Sequence, residues 1–147
     1  MQSQDTSIVI LVKFKSDYFL WGLYQLAFGR FFMRKIPGLN FFKLLGSGSN
    51  GGFGLKPGLN RQGLFCCFES EKFARNFLKN SMVVKRYKKA AKEFFSVELK
   101  LYSSRGAWSN NTIKVSASEP TFGPIASLTR ASIKTNKAKK FWSLAPA

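Results

Sequence analysis

The sequence predicts an α+β fold of the split βαβ, ferredoxin-like kind over residues 1–102, and three observations carry that expectation. Apolar runs with strand and helix spacing follow one another in the order strand, helix, strand, strand, helix, strand. Pro-Gly and Gly/Ser clusters punctuate those runs. The composition also supports a core: of 147 residues, 45% are hydrophobic and 16% aromatic, with sixteen Phe. This holds although 24 Lys+Arg against 7 Asp+Glu give a net charge of +17, well above the magnitude of about 2–8 common for a small domain.

Ser7-Ile-Val-Ile-Leu-Val-Lys-Phe14 is β-branched, apolar and of strand length, and reads as a buried first strand. From Tyr18 to Lys35, the residues Phe19, Leu20, Leu23, Tyr24, Ala27, Phe28, Phe31 and Phe32 recur at helical spacing, which marks them as the inward stripe. Pro37-Gly38 stops that helix. Gly22 and Gly29 share one face, where they permit close approach to a sheet. Phe41 to Leu45 is a short second strand. A Gly/Ser loop, Gly46 to Gly54, and a turn-rich stretch around Pro57-Gly58 lead to a third strand, Gly63 to Phe68.

Ser70 is placed to cap a helix with Glu71 in its first turn and Lys79 late, as the helix dipole favours. Asn80-Ser81 interrupts it. A second helical piece, Met82 to Lys92, turns Val83, Tyr87, Ala90 and Ala91 inward and Lys85, Arg86, Lys88, Lys89 and Lys92 outward. Phe94 to Tyr102 alternates as a half-exposed fourth strand, with Phe95, Val97, Leu99 and Leu101 on one side. Residues 103–122 read as a linker loop with Trp108 as its large anchor. Residues 123–147 read as the start of a second, truncated repeat, with a strand over Ile125 to Lys134 and a helix from Lys137. Val12-Lys13 matches Ile133-Lys134 and Trp21 matches Trp142, each pair 121 residues apart.

The chain contains no His, which excludes Ser-His-Asp and Cys-His nucleophiles, the usual zinc hydrolases and a self-supplied haem histidine. Cys66 and Cys67 are adjacent, too close in sequence to staple distant segments, and alternation sends them to opposite faces of a strand. The N-terminus carries no signal-peptide pattern, and the charge-free aromatic stretch from Tyr18 to Gly29 falls short of the ~20 residues a spanning helix needs. A cytoplasmic protein is expected, with attachment to a membrane surface left open.

Gly46-x-Gly48-x-x-Gly51 follows an apolar strand, as a dinucleotide fingerprint should, but Gly52, Gly54, Pro57 and Gly58 forbid the helix that must open there. Gly46, Ser47 and Gly48 remain a loop whose backbone either approaches a ligand or neighbouring chain, or simply connects strands. The basic helix around Lys85–Lys92 has almost no acidic counterweight, so both nucleic acid and an anionic membrane fit its charge. Nucleic acid is disfavoured, because most Phe sit at periodic positions expected in the core.

Three blocks then resemble one family: Phe41-Phe-Lys-Leu-Leu-Gly-Ser-Gly-Ser-Asn-Gly-Gly-Phe53; Arg61-Gln-Gly-Leu-Phe-Cys-Cys-Phe-Glu-Ser70 with Ala74-Arg75; and Gly123-Pro-Ile-Ala-Ser-Leu-Thr-Arg-Ala-Ser-Ile133 with Phe141-Trp142. They resemble the N-terminal part of the spheroidene monooxygenase family, the ketolases that oxidise C-2 of acyclic carotenoids. The resemblance implies a dimeric α/β-barrel type of fold, in which one sheet face packs on another, in a homodimer or against a missing second half of a longer chain. It also implies an oxygenase using haem, O2 and a reduced ferredoxin-type donor, with a carotenoid as substrate. Tyr18, Tyr24, Tyr87, Tyr102, Cys66 and Cys67 are the obvious iron-ligating types left, and none is singled out by its surroundings. No catalytic residue and no metal ligand is assigned. The cofactor-binding candidates are Lys43, Arg61 and Arg130, basic residues beside the matched blocks, together with Gly46, Ser47 and Gly48. Other oxygenases or ligand-binding modules on the same fold, and a basic nucleic-acid-binding domain, are the rival readings.

Overall fold

A computed structural model describes residues 6–48, 57–115, 118–129, 134–137 and 140. Strand β1 (Thr6–Phe14) leads through a 3-10 turn (Ser16–Tyr18) into helix α1 (Phe19–Met33). Strands β2 (Leu39–Gly48) and β3 (Pro57–Phe68) follow, then α2 (Glu71–Asn80), α3 (Met82–Ala90) and β4 (Ala91–Lys100). The four strands form one antiparallel sheet in the order β2-β3-β1-β4. This is the expected ferredoxin-like arrangement, with α1, α2 and α3 on one face of the sheet.

Alternation decides which side chains meet the helices. Ile8, Ile10 and Val12 on β1, and Leu64, Cys66 and Phe68 on β3, form the main core with Phe77, Val84, Tyr87 and Ala90. The first strand is therefore buried on one face only, and Leu11 is 51% exposed on the other. The registers Val9↔Val97 and Leu11↔Phe95 put the apolar set of β4 on that open face too; the sequence predicted the alternation but not the face. Cys66 and Cys67 do lie on opposite faces, and both are buried.

Helix α1 departs most from expectation. Its buried residues are Gly22, Gln25, Gly29 and Met33, while Leu20, Tyr24, Phe28, Phe31 and Phe32 are exposed. The inward stripe is the small one because the helix lies close on the sheet. A Cβ on Gly22 would stand 2.6 Å from the Phe14 ring, and Gln62 on β3 donates from its Nε2 to the Gly22 carbonyl. Trp21, half-buried, packs edge-on against Phe14 and Tyr87. Pro37-Gly38 does end the helical segment: Gly38 adopts φ +68 and any Cβ there would strike Phe73.

Other boundaries shift for identifiable reasons. The β2–β3 ladder runs on through Ser47↔Gly58 and Gly48↔Pro57, past a register shift, so Gly46 to Gly48 and the Pro57-Gly58 stretch are strand rather than loop or turn. Ser70 holds the N-cap position of α2 without a side-chain cap bond, whereas Ser81 caps α3 by accepting from the Val83 amide at 3.1 Å. Helix α3 buries Val84 rather than Val83 and ends at Ala90, so Ala91 and Lys92 belong to β4. After β4, residues 101–107 and 112–115 are irregular, and Ile125 to Leu128, expected in a strand, are not in one. Ile133, Trp142 and most of the expected C-terminal helix lie outside the described residues.

Candidate functional site

The sheet face opposite the helices is only half covered. At one end Phe41, Phe65 and Cys67 are buried with Leu45, Leu101, Trp108 and Ile113 packed on them. The cover is a tight turn. Trp108 and Asn111 exchange backbone hydrogen bonds of 2.8 and 3.1 Å, and Ser109 and Asn110 carry the two central positive φ values, 50 and 62. That geometry lays the Trp108 ring stacked on Phe65 at 6.0 Å and tilted against Phe41 at 5.7 Å.

Beyond Trp108 the face opens into an apolar trough floored by Val9, Leu11, Gly63, Leu45, Val97 and Phe95. Gly63 deepens it, because a Cβ there would just touch Leu45 and Leu11, at 3.4 and 3.5 Å. The far end is polar. Lys13 donates from Nζ to Glu93 at 2.8 Å, and Arg61 sits opposite Lys13 in the register. The Lys13 ammonium, with help from Arg61 and Lys92, holds the Glu93 carboxyl below the usual carboxylate range.

The predicted site residues scatter over this frame. Lys43 is on the open face, its Nζ donating to Ser109 Oγ at 2.6 Å and lying 5.6 and 5.9 Å from the centres of the Phe41 and Trp108 rings. Arg61 is half-buried on the same face, four residues along β3 from Phe65, the partner of Lys43, hence about 13 Å away along the strand. Gly46 pairs with Gln62 and is exposed, with nothing within 4 Å of a Cβ placed there, so no backbone approach requires it to be glycine. Ser47 and Gly48 close the β2–β3 ladder, and Arg130 lies outside the described residues. The sequence reading missed Phe65, Gly63, Leu11 and Phe95 as one surface. Its partial signal was the alternation within each strand, but only the register aligns them.

Haem, which the resemblance implies, requires an axial ligand. The chain has no His. Burial pushes the Cys67 thiol up to about 12 and raises Cys66 and Tyr87 well above their ordinary values, so all three stay protonated near neutrality. Cys66 and Tyr87 face the helix side, as does Tyr18, which packs on Trp21, and Tyr24 is on the outer side of α1. Tyr102 is not part of the open-face cluster. No group of His, Cys, Asp and Glu among the described residues could hold a metal. Met33 is buried in the helix-side core and Met82 is exposed on α3, so the described residues do not fit an iron ligand set on the open face. A cleft of about 180 Å3 between Ile36, Pro37, Phe73, Phe77 and Met82 lies elsewhere and is smaller than the roughly 300 Å3 at which ligand pockets begin.

No family model matches the chain. It is 39% identical over 138 residues to the spheroidene monooxygenase of Rubrivivax gelatinosus, covering 94% of this chain and 54% of that protein. It is 35% identical to that of Rhodobacter capsulatus, covering 86% and 54%, and 32% identical to that of Cereibacter sphaeroides, covering 100% and 45%. The chain thus spans about half the length of the curated relatives it matches. Among solved structures, a Nitrosomonas europaea protein of unknown function superposes with a TM-score of 0.54 at 12% identity, over 74% of this chain and 99% of that one. A candidate antibiotic biosynthesis monooxygenase of the same organism gives 0.50 at 13% identity, over 68% and 92%. These two likenesses show the fold alone, a ferredoxin-like α+β unit.

Proposed function

The chain is a sequence relative of the spheroidene monooxygenase family, and from that premise we propose that it forms the sheet-lined part of an oxygenase site for an acyclic carotenoid. The observation that supports this is the apolar trough of Val9, Leu11, Leu45, Gly63, Val97 and Phe95, open along one side and stopped by Trp108 at one end. An extended polyene needs an apolar channel of this kind, and the sheet face needs a cover. A second sheet supplies it, from another copy of the chain or from residues corresponding to the rest of the relatives' length.

The chemistry proposed is ketolation at C-2. In each insertion one atom of O2 enters a C–H bond and the other leaves as water, consuming a pair of electrons and a pair of protons. A second insertion at the same carbon gives the hydrate, which loses water to become the ketone. A reduced ferredoxin-type donor supplies the electrons, and a redox cofactor is needed because side chains do not carry out this step. If that cofactor is haem, its iron ligand comes from outside these 147 residues. Lys43 and Arg61 are then candidate contacts for its acidic groups. Because a carotenoid dissolves in bilayers, a cytoplasmic position in contact with a membrane surface belongs to the same reading.

Trp108 borders the trough, so binding is read as quenching of tryptophan emission, with Trp108→Phe as the control. Saturable quenching by a detergent-dispersed acyclic carotenoid is expected, weakened about tenfold or more by Gly63→Trp, which fills the notch. A keto product is expected in a carotenoid-accumulating host that supplies the electron donor when the chain is expressed joined to the part of a relative that lies beyond it. Absence of both binding and product overturns the proposal. Steeply salt-dependent binding of nucleic acid without carotenoid binding supports the rival module instead.

A further inference from the structure

The outward side of α1 carries a ridge that neither the core nor the trough uses. Leu20, Tyr24, Phe28 and Phe31 follow one another at helical spacing along it, each about half exposed or more. The Tyr24 and Phe28 rings pack at 5.1 Å. Cations fringe the ridge: Arg30 and Arg34 lie 5.2 and 5.9 Å from the Phe31 ring centre, and Arg86 of α3 lies 5.7 Å from that of Phe32. No acidic residue occurs between Asp17 and Glu69, nor anywhere in α3. No helix among the described residues is long and apolar enough to cross a membrane.

We propose that this ridge docks the protein on an anionic lipid surface, α1 lying in the plane of the interface with its rings among the acyl chains and its guanidinium groups at the phosphates. Aromatic rings and snorkelling arginines on one helical face suit that boundary. Charge selects the occupant. A second copy meeting this one ridge to ridge would bring arginines against arginines, and a chain with 7 acids to 24 bases has little to offset them. Anionic phospholipid offers both the apolar layer and the countercharge. The ridge is on the opposite side of the sheet from the trough, so docking leaves the trough free to be covered.

This goes beyond the proposed oxygenase reading by assigning the membrane-facing surface, and its test needs neither pigment nor iron. The 147-residue chain is sedimented with vesicles of phosphatidylcholine alone and of phosphatidylcholine with phosphatidylglycerol. Binding is expected only with phosphatidylglycerol, and the Phe28→Ser/Phe31→Ser variant should lose about tenfold or more in partition. Arg30→Gln/Arg34→Gln should lose a comparable amount, while Arg105→Gln/Lys114→Gln, which removes the same charge from exposed positions in the segment that lays Trp108 and Ile113 on the open face, should bind nearly as the parent does. Matching circular dichroism spectra and melting temperatures establish that the variants fold. Equal losses in the two charge variants, with none in the Phe variant, would reduce the effect to net charge and overturn the assignment. So would self-association of the parent that Phe28→Ser/Phe31→Ser abolishes, since the ridge would then be an interface between copies.

Discussion

Helices α1 and α3 cover the same sheet face and touch through Trp21 and Tyr87, yet they are built in opposite senses. Helix α3 buries Val84, Tyr87 and Ala90 and exposes Lys85, Arg86, Lys88 and Lys89, the ordinary amphipathic division. Helix α1 buries two glycines, a glutamine and a methionine, and exposes rings. The first is held by apolar burial. The second is held by close backbone approach, a buried hydrogen bond from Gln62 and the Trp21 anchor, so its large side chains remain available for something outside the fold.

Substitutions in the two regions test that contrast. Tyr87→Ala, on the buried side of α3, should cost about 3 kcal/mol or more in denaturant unfolding, whereas Phe28→Ala, on the outer side of α1, should cost less than about 1 kcal/mol. Equal losses would mean that the outer side of α1 is packed in solution and the contrast is false. Next comes the reverse operation of adding atoms. Gly22→Ala should destabilise by about 1–3 kcal/mol, because its methyl would meet the Phe14 ring. Gly29→Ala should be near neutral, since a tight contact with Gln25 and Leu44 is offset by a helix-propensity gain of about 1 kcal/mol.

Those glycines also explain how much of the fold was legible. Order, topology class and most strands followed from periodicity, because β1 and β3 alternate unambiguously between residues such as Ile8, Ile10 and Val12 and their neighbours. In α1 nearly every position is apolar, so the 3.6-residue period had no contrast to detect and the larger residues were assigned inward. Gly22 and Gly29, correctly read as permitting close approach, marked the true inner face. The trough was less legible still. Leu11, Gly63 and Phe95 come from three strands, and only pairing register puts them side by side. The extension of β2 through Gly48 was hidden because glycine and serine in a ladder look like a loop in sequence.

Two smaller effects sharpen the account of α2 and α3. Ser81→Ala should cost about 1 kcal/mol through loss of the α3 cap, whereas Ser70→Ala, whose side chain caps nothing, should change stability by a few tenths. The least effect concerns Glu93, the acid just beyond α3. Its folded value is depressed, so the ion pair with Lys13 contributes above the ordinary carboxylate range and is lost as pH falls through the folded value. A carboxyl titration followed by NMR should show the depression in the parent and its relief in Lys13→Met, with scarcely any change in melting temperature.

The turn at Ser109-Asn110 has a consequence for dimensions. By fixing the Trp108 ring over Phe65, it gives the trough one blind end and leaves the other bordered by Lys13, Glu93 and Arg61. A groove of that form acts as a depth gauge. A rod-shaped molecule laid along the strands would halt at the indole, and each of its atoms would then lie at a set distance from the stop. Selecting one carbon among many similar ones would thus require no contact with that carbon, only an end wall that does not move.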